Sequence, residues 1–489
     1  MAGIGFELNK IFQRKGVISC IGAYTAAAVV FTGPLLMGAG MLYMVRLLSA
    51  LGGALRYEQD VIVVIITYAL ISSLIVSNIF AATASRHTAD MLYRDMQDRV
   101  MPSLHGNAAV QLVMGGAVYG LFLMFSGIEA LYGILGFILF CELTIVWILL
   151  NYMSTVKDYV RIIIVFSIGS AINIISGLAL IYLTNAEIVT CMLLSVYIGY
   201  GFIIIGYYYI LRSYFPESDN KYFRYVEQIY LNPELAIIGF SVSVGLFSHF
   251  IFVWLSPYGV HLFGLFYSAP LYDIPALFAF ISVLITTITF STTTEVNFYP
   301  VYKRYFDLLN ANGSLQTIEL AEREMLTTLK REYIYLALKQ FVATILVITV
   351  GSTIFGEAGL AGFNSTTSGI FRVLCVGYGI YASAYSIILF LLYFTDYRDA
   401  MISTALFAAG TLFTMIYIVR TGNFMFFGFG VTGGAIPMYA SAAFFLCRYT
   451  HKLLYRVFSK QPVLTVDKHG VIYNKMKGLW RDEEPAQGA

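Results

Sequence analysis

Glu142 is the residue whose position promises most chemistry. It lies near the middle of an apolar stretch, in Cys141-Glu142-Leu143-Thr144, with no basic residue within a helical turn. A charge inside hydrocarbon costs several kcal/mol unless it meets a partner or water. The carboxyl therefore either carries a proton or contacts a substrate, or it is a hydrogen-bonded packing residue. Arg46, Asp273 and Arg372 fall near the ends of apolar segments on one side of the chain's path. Snorkelling toward the interface explains each of them singly, and together they could line a vestibule for an anionic or polyhydroxylated substrate. His249 stands alone in an apolar segment, as a satisfied buried imidazole or a functional one. Gly33-Pro34 interrupts the first apolar segment, and Pro275 stands near Asp273 beside Pro270. Proline removes a backbone donor from a helix, so both sites are candidate hinges, although membrane helices also tolerate proline when neighbours repair the hydrogen bonds.

What must position these residues is a membrane. The chain has 489 residues, of which 59% are hydrophobic and 12% charged, far below the roughly 25% charge of soluble domains. Segments long enough to cross about 30 Å of hydrocarbon occur near 17–48, 61–85, 108–126, 131–151, 159–183, 188–211, 236–255, 273–294, 334–355, 370–394, 400–420 and 430–449. The first is too long for the apolar core of a signal peptide and is read as a retained helix. The fold class expected is an all-α integral membrane protein of about twelve transmembrane helices. With the N-terminus inside, 25 of the 30 Lys and Arg fall on the cytoplasmic side, which places both termini in the cytoplasm. The charged stretch between Arg212 and Glu234 divides the chain into a lobe over 1–211, a linker over 212–235, a second six-helix lobe over 236–449 and a cytoplasmic tail over 450–489. No clear internal repeat accompanies that division.

Several classes of activity are disfavoured. No Gly-Lys dipeptide occurs, so a phosphate-cradling loop for ATP is missing. Motifs of zinc proteases, serine hydrolases and DxD transferases are missing too, and no catalytic residues, metal site or cofactor is expected. The five cysteines are odd in number and lie in apolar runs, which fits packing rather than a disulfide framework. A net charge of +2 gives no reason to expect nucleic acid. Tyr and Phe number 37 and 38; interfacial belts account for most, although aromatic faces also suit sugar rings. The segment Phe6 to Lys15 reads as an amphipathic helix on the inner surface. Gln316 to Tyr335 reads as a charged helix, either solvated or facing a cytoplasmic partner. Transport is the function such a chain fits best.

A set of short motifs then points to a family. The opening Met1 to Leu8 (Met-Ala-Gly-Ile-Gly-Phe-Glu-Leu) resembles the start of the PelG family, transporters of Pel exopolysaccharide systems, and Thr32-Gly33-Pro34 is similar to that family's Ser-Gly-Pro. Further matches are Ser85-Arg86, Ala89 to Tyr93, Pro102 to Gly106, Glu295 to Tyr299, Tyr302 to Tyr305, and Leu391 to Asp396 with Arg398. The resemblance covers residue 1 to about 455. The chain departs from it at Phe31-Thr32, where the family has a Ser-Ser pair, and in a longer tail. The resemblance implies a multi-pass protein of the bacterial cytoplasmic membrane, in the multidrug/oligosaccharidyl-lipid/polysaccharide exporter superfamily. Its substrate would be a polysaccharide exported for biofilm matrix. Its partners would be a cytoplasmic glycosyltransferase, other membrane subunits of a Pel synthase complex, and the lipid bilayer. Three matching motifs fall on expected cytoplasmic loops, which suits contact with a soluble polymerase. Rival readings on the same fold are a flippase for lipid-linked oligosaccharides or a drug/ion antiporter, and in another class a membrane-embedded polymerase or acyltransferase.

Overall fold

The computed structural model describes residues 38, 40–156, 158–216, 222–223, 225–310, 313–357 and 365–455. Helix α1 is the short apolar Gly40–Leu51. It is followed by α2 (Arg56–Tyr93), α3 (Val100–Phe125), α4 (Ala130–Val156), α5 (Tyr159–Leu183), α6 (Ile188–Tyr214) and the short α7 (Tyr225–Leu231). The second half holds α8 (Pro233–Trp254), a hairpin of β1 (Val260–Phe263) and β2 (Phe266–Ser268), then α9 (Pro270–Thr293). A π-helical turn, Thr294–Phe298, leads into α10 (Tyr299–Asn310). The chain ends with α11 (Leu315–Glu357), α12 (Ser365–Tyr393), α13 (Tyr397–Thr421), a 3-10 turn at Phe424–Gly428 and α14 (Phe429–Thr450).

Among the described residues eleven helices are long and apolar enough to span a bilayer. They coincide with the eleven expected segments after the first. The first segment, 17–48, lies mostly outside the described residues, as do the Phe6 to Lys15 segment, Gly33, Pro34 and the tail beyond 455. Large apolar side chains such as Val113, Met124, Ile175, Leu183 and Phe413 are exposed by 66–83%, a surface that only lipid tails would cover at low cost.

Contacts between helix ends define two faces. On one, Tyr132 at the start of α4 donates to Glu187 before α6 at 2.5 Å, and the β-hairpin reaches the α3–α4 turn through Leu265 N–H to Ser126 O at 2.8 Å. On the other, Tyr214 at the end of α6 donates to Asp158 before α5 at 3.0 Å, and Arg448 of α14 grips Asp399 of α13 at 2.7 Å. Most described Lys and Arg between the helices lie on this second face, called here the basic face.

The structure departs from the expected loop pattern in two ways. The 255–269 connection forms an antiparallel hairpin, pairing Val260 with Ser268 and His261 with Tyr267, so the protein is not purely α. The stretch Glu295 to Tyr333, the longest expected connection, is helical almost throughout: Gln316 to Tyr335 lies in α11, helical as expected, and α10 is the addition. Helix α10 is strongly amphipathic in sequence, and Tyr302 and Tyr305 pack with Ile318, Met325 and Leu329 of α11 against Phe390, Phe394 and Tyr449. Burial pushes the Tyr302 phenol up to about 12, so it stays a neutral donor to Tyr393 O at 3.3 Å.

The buried apolar residues fall into separate clusters. One draws on residues 41 to 215 and adds a single residue of the second half, Phe266. A second draws on 235 to 442, and the third, on the basic face, spans 290 to 453.

Candidate functional site

Helix α4 carries Glu142 toward α6. Its side chain is partly buried, and Oε2 is buried with no hydrogen-bond partner among the described residues. A Cβ placed on Gly201 would stand 3.6 Å from Oε1, in ordinary contact, so the carboxyl lies against α6 at this position. The same helix α6 also carries Tyr197 and Tyr200, the latter buried. Helix α5 holds a residue that sequence reasoning passed over. Asn173 is fully buried, and neither its amide nitrogen nor its carbonyl oxygen has a partner among the described residues. Buried polar groups are almost always hydrogen-bonded, so two such groups in one helix bundle mark an interior that is not simply packed hydrocarbon. The sequence signal for Asn173 was available: an asparagine in the run Ala-Ile-Asn-Ile-Ile of a membrane helix.

In the second half, α8 places His249 in a fully buried position. Its Nδ1 lies 2.9 Å from the Tyr272 hydroxyl on α9, and its Nε2 lies 3.2 Å from the Tyr378 hydroxyl on α12. A neutral imidazole donates through one nitrogen and accepts through the other, so one ring satisfies two tyrosines at once. Phe250 packs on the imidazole at 4.2 Å. One turn further along α8, Trp254 donates its indole N–H to both oxygens of Asp273 at 3.0 and 3.1 Å, and Ala269 N–H adds a third bond at 2.9 Å. Asp273 thereby caps the entry of α9, its carboxylate satisfied by the protein itself. Deeper in the same half, Gln340 of α11 accepts from Thr286 of α9 and donates to Thr344 at 3.1 Å.

The two halves meet along α2 and α8, and the hairpin closes over one end of that seam. Asn78 donates to Ser243 at 3.2 Å. A Cβ on Gly239 would collide with Asn78 O and stand 2.8 Å from Asn78 C, so glycine is what permits the backbones to approach this closely. Toward the hairpin, Tyr68 of α2 stacks on Trp254 of α8 at 4.8 Å and on Phe122 of α3 at 5.8 Å. Its hydroxyl bonds both the carbonyl and the N–H of Tyr267, at 3.2 and 3.1 Å. Phe266 is fully buried against Tyr68 and Phe122. The hairpin turn takes the left-handed conformation at Gly264 (φ +49), where any Cβ would strike Ser126 O. Tyr258, just before the hairpin, donates to Gly422 O of the second half at 2.7 Å. One hairpin thus ties the α3–α4 turn to the α13–α14 turn.

The structure distributes the residues singled out from the sequence. His249 and Asp273 belong to neighbouring networks linked through α8 and α9, while Glu142 sits in the other half. Arg46 pairs with Asp60 at 3.3 Å on the exposed hairpin face, the kind of pair worth about 0–1 kcal/mol. Arg372 bonds Ser352 at 3.3 Å. Neither arginine reaches Asp273, whose carboxylate is taken up by Trp254 and Ala269. Pro275 lies inside α9, which remains helical through it. No group of three or more His, Cys, Asp or Glu able to hold a metal occurs among the described residues. Tyr272, Tyr378, Tyr68 and Asn173 were missed because tyrosine and asparagine in apolar runs read as interface or packing until their partners are known.

This arrangement is that of a multi-pass membrane transporter, and its fold is shared with solved ones. It is similar to an outward-facing MATE multidrug transporter of the MOP superfamily (TM-score 0.55, 13% identity, covering 93% of this chain and 100% of that one). It is similar as well to a MOP superfamily transporter from Pyrococcus furiosus whose binding pocket is described as reversed in polarity (TM-score 0.54, 13% identity, 93% and 99% covered). A third is the eukaryotic MATE transporter AtDTX14 (TM-score 0.51, 12% identity, 89% and 99% covered). Identities this low establish the fold alone. No curated protein matches the sequence significantly. A family model does, across residues 1–458: "PelG: Putative exopolysaccharide Exporter (EPS-E)". The chain belongs to this exopolysaccharide exporter family and is a transporter, not an enzyme.

Proposed function

We propose that this protein exports a Pel-type polysaccharide across the bacterial cytoplasmic membrane for biofilm matrix, through a passage between a lobe over 1–211 and a lobe over 236–449. The family match over residues 1–458 carries the reading. The separation of the buried clusters at residues 215 and 235 supports two lobes that move as units, as alternating access requires. The hairpin and Tyr68 are then the gate that seals the far side, and parting them would free the polymer. Glu142, with an unpartnered oxygen in the interior, is the residue assigned to the polymer path or its energy coupling. Asn173 would supply a further hydrogen-bonding group, and tyrosine faces would stack on sugar rings. A cytoplasmic glycosyltransferase and other membrane subunits of a synthase would deliver the growing chain to the basic face.

The test is polymer secretion by cells whose only copy carries Glu142→Gln, with protein abundance and intracellular polymer measured together. Loss of secretion at normal abundance, with polymer retained inside, is the expected result. Abolished synthesis in isolated membranes would move the protein to the polymerising machinery. Unchanged secretion would return Glu142 to packing.

A further inference from the structure

The two halves are joined through the short helix α7, and its surroundings tell which half it belongs to. The motif Pro102 to Gly106 lies in the first turns of α3, on the basic face. Ser103 stands 3.1 Å from the Tyr152 hydroxyl of α4, both side chains buried, and His105 Nε2 stands 3.2 Å from the Tyr208 hydroxyl of α6. The motif is thus bonded into the first half on two sides. It also receives the chain that leads to α7. A Cβ on Gly106 would collide with Tyr222 O and stand 2.6 Å from Tyr222 C, so glycine lets that backbone lie directly on α3. The His105 ring meets the Tyr222 ring at 6.1 Å.

Helix α7 follows at once. Val226 N–H donates to Phe223 O at 3.0 Å, so Phe223 and α7 form one unit. A helix this short does not persist in water by itself, and packing must hold it. Tyr225, its first residue, is fully buried. The helix packs against α2 and α3 of the first half, and against α8, into which it leads.

Between α7 and α8 the hydrogen-bond ladder stops. Asn232 N–H still bonds Gln228 O at 3.1 Å, whereas the next ladder begins with Leu235 N–H on Asn232 O at 3.2 Å. Pro233 has no N–H to carry the ladder across, and a proline drives the residue before it out of the helical region. Asn232 accordingly sits at φ −135 and ψ 65. Rotation between packed units is absorbed by a few such residues at element ends. From Pro233 to Gly239, where α8 touches the α2 backbone, is roughly 9 Å along the helix, and from Pro233 to Trp254 beneath the hairpin roughly 32 Å. A turn at this joint therefore moves the hairpin end most. We infer that Tyr222, Phe223 and α7 are a strap fixed to the first half, and that Asn232–Pro233 is the pivot on which the second half turns. The turning rests on the two-lobe reading proposed above; the seat of the strap does not.

The first test is amide hydrogen exchange on the purified full chain. The wild type should protect residues 225–231. Gly106→Val, which pushes a side chain into the Tyr222 backbone, should speed exchange there by about tenfold or more, while residues 240–250 of α8 keep their rates. Where Gly106→Val does not fold, His105→Ala decides, with faster exchange confined to the same residues. Free-chain rates in the wild type, or rates unchanged in the folded variants, would overturn the seat. The second test places nitroxide labels on introduced cysteines at the exposed positions Phe223, Ser154 and Lys303, with the native cysteines replaced by alanine. Pairwise distances are read by double electron-electron resonance in detergent, in nanodiscs and with Tyr68→Phe added. Wherever the Ser154–Lys303 distance shifts, Phe223–Ser154 should stay fixed and Phe223–Lys303 should shift with it. A Phe223–Ser154 distance that shifts as far would overturn the pivot, because the strap then travels with the second half. A Ser154–Lys303 distance that never shifts would refute turning lobes and the pivot with them, while exchange still decides the seat of the strap.

Discussion

Replacing Tyr68 by Phe should loosen the hairpin without disturbing the stack beneath it. The phenyl ring would keep its place on Trp254 at 4.8 Å and against Phe266 at 4.8 Å, so the apolar contribution stays. What disappears is one hydroxyl that bonds both the N–H and the carbonyl of Tyr267. Leaving a partly buried backbone group without its partner costs about 1–3 kcal/mol. At 1.4 kcal/mol per factor of ten, the population with an open hairpin should rise by roughly 5-fold to 150-fold. The assay is amide hydrogen exchange over residues 260–268 in the purified protein, since exchange by local opening tracks that population. Faster exchange confined to the hairpin and the 126–127 turn is the expected pattern. Unchanged exchange in 260–268 would refute the hairpin as a latch held by Tyr68. A uniform increase across all helices would equally refute it, because the substitution would then have weakened the whole bundle. If the latch is the far-side gate, the same variant should also leak small solutes.

Other perturbations bear on the interior. His249→Phe strands the Tyr378 hydroxyl and weakens the bonding of Tyr272, and should lower stability by about 1–3 kcal/mol, read as a drop in thermal midpoint; adding Tyr378→Phe should recover part of that loss, and no recovery would argue against the network. Arg448→Gln leaves the buried Asp399 carboxylate without its 2.7 Å partner and should destabilise more than Asp399→Asn. Full burial of such a pair would cost about 3–5 kcal/mol on breaking, and the half-exposed arginine reduces that; equal melting temperatures for the two variants would contradict the assignment. Gly239→Leu drives a side chain into the α2 backbone and should cost at least about 1–3 kcal/mol, measured as lost folded yield, whereas Phe240→Leu at a 51% exposed position should be near neutral.

How much of this was legible in the sequence depended on the reach of each signal. Hydropathy over twenty residues reports directly on the medium a helix crosses, so the segments from 61–85 onward fell where the helices lie. Their ends did not: α2 runs eight residues past its apolar stretch to Tyr93, because polar residues continue a helix at no penalty once it leaves the bilayer. The hairpin was invisible for a related reason. Val260–Phe263 and Phe266–Ser268 are too short to show a period, and their burial comes from Tyr68, about 200 residues away in sequence. Single charged residues in apolar runs, Glu142 and Asp273, announced themselves because hydrocarbon makes them expensive. The tyrosines that bond His249 did not, since a tyrosine is cheap to bury once its hydroxyl finds a partner, and that partner lies on another helix.

That asymmetry bears on where the function resides. Asp273 read from the sequence as a snorkelling residue that could help line a vestibule, and the structure gives its two oxygens three hydrogen bonds from two donors and so accounts for it as a cap. Glu142 stood in mid-segment with no basic neighbour, and its Oε2 has no partner among the described residues. The two carboxylates therefore differ in what compensates them: for Asp273 the protein supplies it, and for Glu142 no described residue does, which is the ground for assigning it to the proposed polymer path. The same reasoning extends to Asn173 on α5, whose amide is buried and has no partner among the described residues. Under the proposed export reading, Glu142 and Asn173 are the groups of the first half offered to a substrate, a coupling ion or water, while in the second half His249 bonds Tyr272 and Tyr378, and Gln340 bonds Thr286 and Thr344, within the protein itself.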